Sequence, residues 1–382
     1  MASVTSTSTP LTVRRPSWTD GPEVLDPPAQ RWALRAAFAA PLVAVAGLAA
    51  ARGYQDGANT ALVEHARAIE WGSRHLGFVG TVYPPIPTVI ARLIPSAGAL
   101  GIVGAIAGGF LLEAVHRRVR AAGVSRAWAL ALVATLAVSP GFVLTATTEL
   151  ANFLAITLLA VAVDGFVRFT HRGQTHGGFR AGLALGLAGL CHPSAILCAV
   201  GFAVAAPMIA HHRYRGQRAA GRATAAVLLF PTVAGLAGWT FLCWRFTGSP
   251  LAWLHSSAPG LFEISSFGHV LSTALGQIWL PLVLTPTFLA VVALIVRRRG
   301  VLSAAGVALP AFVLALAAGL GFGFSRGAMA ALLGMTALCS LPRMTRRSTI
   351  AIAAVAIIGL VLKWTVANSP ALVAWEHALF GR

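Results

Sequence analysis

Few side chains in this chain could do chemistry, because only eleven of its 382 residues are Asp or Glu. Three of those eleven fall in one stretch, RGYQDGANTALVEHARAIEWGSRHLGFVGTVYPPIP, from Arg52 to Pro87. Asp56 comes first, just past a long apolar run. A carboxylate there has two readings. It can cap the helix that follows, accepting a backbone N–H from Ala58 or Asn59. It can also act as a base, taking a proton from a hydroxyl as that hydroxyl attacks an activated carbon. Spacing alone leaves both open. Beyond it, Ala58, Ala61, Leu62, Ala66 and Ile69 share one face at helical spacing. Thr60, Glu64, Arg67, Glu70 and Arg74 share the other. Glu64–Arg67 and Glu70–Arg74 are spaced as i,i+3 and i,i+4 ion pairs, which reads as a solvated helix face on a membrane surface. The remaining chemistry is sparse. Cys191, Cys198, Cys243 and Cys339 form no CxxC pair and read as small core residues. No HxxxH or DxD cluster and no nucleophile–His–acid set stands out.

The elements that must position Asp56 are apolar helices. The chain is 57% hydrophobic and 10% charged, with a mean hydropathy of +0.76. Soluble proteins carry about 25% charged residues. This is the composition of an all-α, polytopic membrane protein. Spans are predicted at about 33–51, 97–115, 126–141, 148–167, 179–191, 193–210, 223–242, 274–296, 301–322, 328–341 and 349–366, eleven in all. The net charge of +18 is spread as short arginine clusters between spans. That pattern orients a membrane protein and provides no basic domain for nucleic acid. Arg31 and Arg35, then Arg117, Arg118 and Arg120, and so on through Arg343, Arg346 and Arg347, make every second loop basic. The basic loops and the N-terminus are expected in the cytoplasm. Residues 1–30 read as a disordered tail without a signal-peptide core. The transmembrane domain covers 31–366, and 367–382 is an external tail. Both flanks of Ala181–Ala210 are basic, so this run must cross twice, breaking at CHPS (Cys191 to Ser194). The loops 52–96 and 243–273 are then external, together with Glu149, His192 and Arg326. Arg245 lies in the second loop and Lys363 near the outer end of the last span.

The order of these features resembles the GT-C superfamily of polyprenyl-phosphate-sugar glycosyltransferases. A first span is followed by Asp56, an amphipathic segment and HLGFVGTVYPPIPTVIARLIP. Next come LALVATLAVSPGFVLTATTELANFLAITLLAVAVDGFVRF and AGLALGLAGLCHPSAILCAVGFAVA, and then WRFTGSPLAW. The resemblance spans roughly residues 33–255. It implies a GT-C-like fold and inverting transfer of a hexose or pentose, mannose among them. The donor would be a polyprenyl-phosphate sugar and the acceptor an envelope lipid or glycan on the outer face of the plasma membrane. Asp56 matches the acidic first-loop residue and becomes the base. Tyr83, with Pro84 and Pro85, matches the turn shaping the loop over the site. Glu149 matches the acid at the start of the fourth span. His192 stands where many members have Arg. Arg326, then Lys363, Arg245 and His192, are expected to neutralise the departing phosphate. The resemblance leaves a divalent metal and a protein partner open. Asp56 is followed by Gly57 and not by a second acid. The richness in Ala, Gly and Arg, with a single Lys, is compatible with an actinobacterial coding bias. Two other readings are a non-catalytic membrane subunit of the same fold and a lipid or solute transporter. Transport is disfavoured because the span centres are almost free of charge.

Overall fold

A computed structural model describes residues 27–54, 57–72, 76–172, 174–213, 218–253, 285–319, 323–366 and 370–380, with a few single positions between 268 and 282. Asp56, Arg74, nearly all of the predicted tail 1–30 and most of the loop 243–273 lie outside the described residues.

Among the described residues the chain is helical throughout, with fifteen α-helices. The first helix, α1, is Pro28–Ala51. The segment after it folds as α2 (Ala58–Ala68), a 3-10 turn at Gly77–Gly80 and α3 (Pro85–Leu93). Then follow α4 (Ala97–Ala121), α5 (Arg126–Ala137), α6 (Pro140–Thr148) and α7 (Leu150–Arg172). The helices α8 (Thr175–Gly189), α9 (Ser194–Arg213) and α10 (Arg218–Thr247) come next. The chain ends with α11 (Pro286–Arg299), α12 (Val301–Gly319), α13 (Arg326–Cys339), α14 (Arg346–Val366) and α15 (Pro370–Phe380).

Five of these, α1, α4, α7, α10 and α14, are long and apolar enough to cross a membrane, which makes this a helical polytopic membrane protein. The pair α5–α6, bent by 64°, adds a sixth if it counts as one broken span. A helix lies at each of the eleven predicted positions, but eleven full-length crossings are not what the described residues form. The reason is length. The 15 residues of α8 reach about 22 Å at ~1.5 Å per residue, against ~30 Å of hydrocarbon. The α5–α6 bend falls at Pro140, the first residue of α6, where the preceding residue is pushed out of helical geometry. The break predicted at CHPS is present, between Gly189 and Ser194. Unforeseen was α15, whose Leu372, Trp375 and Leu379 are buried on one side as it packs on α1 and α6.

The amphipathic segment does form α2, but its buried stripe is Asn59, Val63 and Ala66. Ala58 and Ala61 face outward, so the buried face is rotated from the one that apolar spacing suggests. A polar Asn takes the core position because it has partners there, described below. The expected Glu64–Arg67 pair is not made either. Arg67 donates to the Pro95 carbonyl at 2.8 Å.

Glycine sets the closest contacts of the bundle. The antiparallel helices α1 and α4 meet so tightly that a Cβ on Gly109 would sit 2.5 Å from the Arg35 carbonyl oxygen and 2.7 Å from the Ala39 Cβ. Small residues at such crossings let backbones approach where no hydrophobic force drives helices together. Gly109→Ala is therefore expected to cost about 1–3 kcal/mol by overpacking. Gly47→Ala, with nothing within 4 Å of its added methyl, is expected to be neutral or stabilising by up to about 1 kcal/mol. Thermal unfolding midpoints in detergent separate the two.

The arginine clusters gather at one end. Arg31, Arg35 and Arg117 contact Glu113. Arg118, Arg168 and Arg180 contact Asp164. Arg118 Nε also donates to the Cys339 carbonyl at 3.0 Å. The first turns of α1, α8 and α14 and the last turns of α4, α7, α11 and α13 thus share a basic end. The termini at the opposite end carry the candidate site.

Candidate functional site

Glu149 stands between two helices. Its N–H donates to the Thr145 carbonyl in the last turn of α6, and its own carbonyl accepts from Phe153 in the first turn of α7. Thr147 and Thr148 turn their hydroxyls back to the Val143 and Leu144 carbonyls of their own helix. The Glu149 carboxylate is left facing Asn152 and α13. Its Oε2 accepts from Asn152 Nδ2 at 2.9 Å and from the Ser325 hydroxyl at 2.8 Å. Ser325 is the cap of α13, and its Oγ accepts the Ala328 N–H at 3.1 Å. A carboxylate is thereby wired to a helix N-terminus, whose positive end favours it.

The N-terminus of α2 is bolted to the same junction. Asn59 Oδ1 accepts the Leu150 N–H at 2.7 Å, and Asn59 Nδ2 reaches the Ala97 carbonyl at 3.5 Å. A Cβ on Gly57 would lie 3.1 Å from the Thr148 Cβ. The residue that follows Asp56 therefore sits against the residue that precedes Glu149. Gly57 itself holds the N-cap position of α2, with no side-chain cap bond. The cap contact expected of Asp56 falls on a residue outside those described.

His192, in the turn between α8 and α9, stacks on Phe324 with ring centroids 4.5 Å apart. Its Nδ1 accepts the Ser194 N–H at 3.2 Å. That bond needs an unprotonated Nδ1, and burial pushes the imidazole down from 6.5 to about 4. His192 is thus a neutral ring near pH 7, not the cation expected to neutralise a phosphate. Phe324, Ser325 and Arg326 are consecutive, so one segment joins His192 to Glu149. Arg326 opens α13 and is exposed.

The other sequence candidates stand apart. Tyr83 is buried, and its hydroxyl donates to the Gly189 carbonyl at 2.6 Å. Its ring packs 4.7 Å from that of Trp253. Tyr83 thus ties the Tyr-Pro-Pro turn to the α8–α9 break. Arg245 is exposed at the end of α10, its guanidinium 5.7 Å from the Phe246 ring. Lys363 is buried on α14, one residue before Trp364, whose indole donates to Val138 at the α5–α6 bend.

Beside this junction lies a groove of about 390 Å³, lined by Tyr54, Thr60, Glu64, Arg67 and Ser96. It has the hydroxyl, guanidinium and carboxylate lining that suits a polar, hydroxylated group. Among the described residues no group of three or more His, Cys, Asp or Glu could hold a metal ion. The partners of Glu149 are an amide and a hydroxyl, which orient a carboxylate without supplying further charge.

Asn59, Asn152 and Ser325 were not singled out from the sequence. Asn152 could have been found as the i+3 neighbour of Glu149, and Ser325 as a helix cap before an apolar run. Nothing local marks Asn59, whose partners are 38 and 91 residues away. Asn59→Ala is expected to cost about 1–2 kcal/mol, because it strands the buried Leu150 N–H. The check is the thermal midpoint in detergent.

No family model, no curated protein and no solved structure matches this chain, so what the site does must be read from its own residues.

Proposed function

We propose that the protein is a membrane glycosyltransferase of the GT-C kind. It moves a sugar from a polyprenyl phosphate to an envelope lipid or glycan at the end of the bundle opposite the arginine clusters, taken as the outer face of the cell membrane. One observation carries this reading: Gly57 packs on Thr148, so the chain that bears Asp56 meets the junction that bears Glu149. Glu149 in turn is bonded to the Ser325–Arg326 turn.

In this reading Asp56 takes the proton of the acceptor hydroxyl. The hydroxyl oxygen bonds to the anomeric carbon with inversion. The bond from that carbon to the phosphate oxygen breaks, and polyprenyl phosphate leaves with the electron pair. Arg326, at the first position of α13, meets the phosphate with both its guanidinium and the helix N-terminus. Glu149 holds Ser325, and through it that N-terminus, in place. Neutral His192 and Phe324 form the stacked wall behind. The groove along Tyr54, Thr60 and Glu64 receives the acceptor.

The test is sugar transfer in membranes containing the chain, using a panel of radiolabelled polyprenyl-phosphate sugars with native lipid and glycan acceptors. Product that depends on the chain and is lost on Asp56→Asn supports the reading. Product that survives this substitution removes Asp56 as base. No product from any donor, with acceptors verified by a second enzyme, overturns the proposal.

A further inference from the structure

At the basic end, α1 and α4 carry more positive charge than they neutralise. Arg31 Nε lies 3.4 Å from Glu113 Oε1, Arg35 Nε 3.4 Å from Oε2, and Arg117 Nε 2.7 Å from Oε1. Three guanidinium groups thus share one carboxylate, which is buried at 1% exposure. Arg31 and Arg117 keep 29% and 38% of their side chains exposed. They can still donate outward, since each guanidinium has five N–H groups.

The surface beside them is aromatic. Trp32 is 59% and Phe110 41% exposed. The two rings meet edge to face at 5.5 Å, and the Arg35 guanidinium lies 4.7 Å from both centroids. Both helices are long and apolar enough to cross a membrane, and this cluster sits at their shared end. An exposed Trp beside outward-facing arginines is the chemistry of the headgroup level. A solvated ion-pair network has no use for the rings. A water-soluble anion has none either.

We propose that the α1–α4 cleft at the basic end binds the phosphate of an anionic phospholipid. Arg31 and Arg117 take the phosphate oxygens, Trp32 and Phe110 pack along the glycerol and upper acyl chain, and Glu113 holds the three arginines in register. A basic cleft between membrane helices suits a phosphate headgroup. The site is independent of the transfer reaction and of the opposite end of the bundle.

The test uses the full chain in neutral detergent. Binding of phosphatidylglycerol and of phosphatidylcholine is followed by native mass spectrometry. The wild type is expected to hold phosphatidylglycerol roughly tenfold or more tighter. Arg31→Gln with Arg117→Gln should abolish that preference, since Arg35 stays to pair with Glu113. Arg31→Lys with Arg117→Lys should restore most of it, which separates lost charge from lost folding. Equal binding of the two lipids by the wild type overturns the proposal. Preference that survives the double Gln variant removes it from this cleft. Competition by inorganic phosphate at the same concentration as the lipid overturns the lipid as occupant.

Discussion

Asp56→Asn is expected to lower sugar transfer by roughly 10²–10⁴-fold, the usual contribution of a positioned general base. The amide keeps the size of the carboxylate but cannot take a proton. The loss should appear in the chemical step, with donor binding nearly unchanged, because the proton moves only in the transition state. A structural role for Asp56 predicts something else, namely a lower thermal midpoint. Gly57 occupies the cap position of α2 and has no side chain to bond there. Anchoring of α2 falls to Asn59, through Leu150 and Ala97. Measuring transfer and the midpoint on the same preparations decides between them. Transfer lost with the midpoint unchanged identifies the base. Both lost together identifies a structural residue.

Asp164→Ala is expected to destabilise the bundle by about 3–5 kcal/mol, the usual cost of leaving one partner of a buried pair alone. Asp164 lies in the second half of α7, with Arg118 Nε 3.2 Å from Oδ1 and Arg168 Nε 3.0 Å from Oδ2. Arg180 reaches Oδ2 at 3.7 Å. The critical partner is Arg118, whose side chain is only 6% exposed. Arg180, about half exposed, can turn to water; Arg118 cannot. Replacing both members of the most buried pair, as Arg118→Leu with Asp164→Leu, should cost less than Asp164→Ala alone, because the most deeply buried guanidinium then goes with its carboxylate. The comparison needs the urea or thermal midpoint of three proteins. A double variant as unstable as the single would show that the Arg118 bond to Cys339, which ties α4 to α13, matters more than the ion pair.

Which parts of this architecture were open to reading from the chain depends on how local the signal is. Apolar runs and arginine clusters are local, so the helices and the shared basic end were legible. The crossing count was not. Whether α8 or α13 spans a bilayer depends on where a 14- or 15-residue helix sits among its neighbours. Composition says only that it is apolar. The same limit explains the rotated face of α2. Spacing counts apolar residues, and Asn59 earned its buried place through the Leu150 N–H and the Ala97 carbonyl.

The candidate site divides the same way. From residue types alone, Asp56, Glu149, His192 and Arg326 could be assigned to one side of a membrane, because charge alternation sorts loops. Their roles could not be ranked. Only the tertiary structure decided that Glu149 is held by Ser325, that His192 is a neutral ring on Phe324, and that Tyr83 spends its hydroxyl on Gly189. It also set Arg245 and Lys363 apart. The physical reason is distance along the chain. Ser325 is 176 residues from Glu149, and Gly189 is 106 from Tyr83. A hydrogen bond of 2.6–2.8 Å between such residues is set by how whole helices pack. No window of neighbouring residues contains that information.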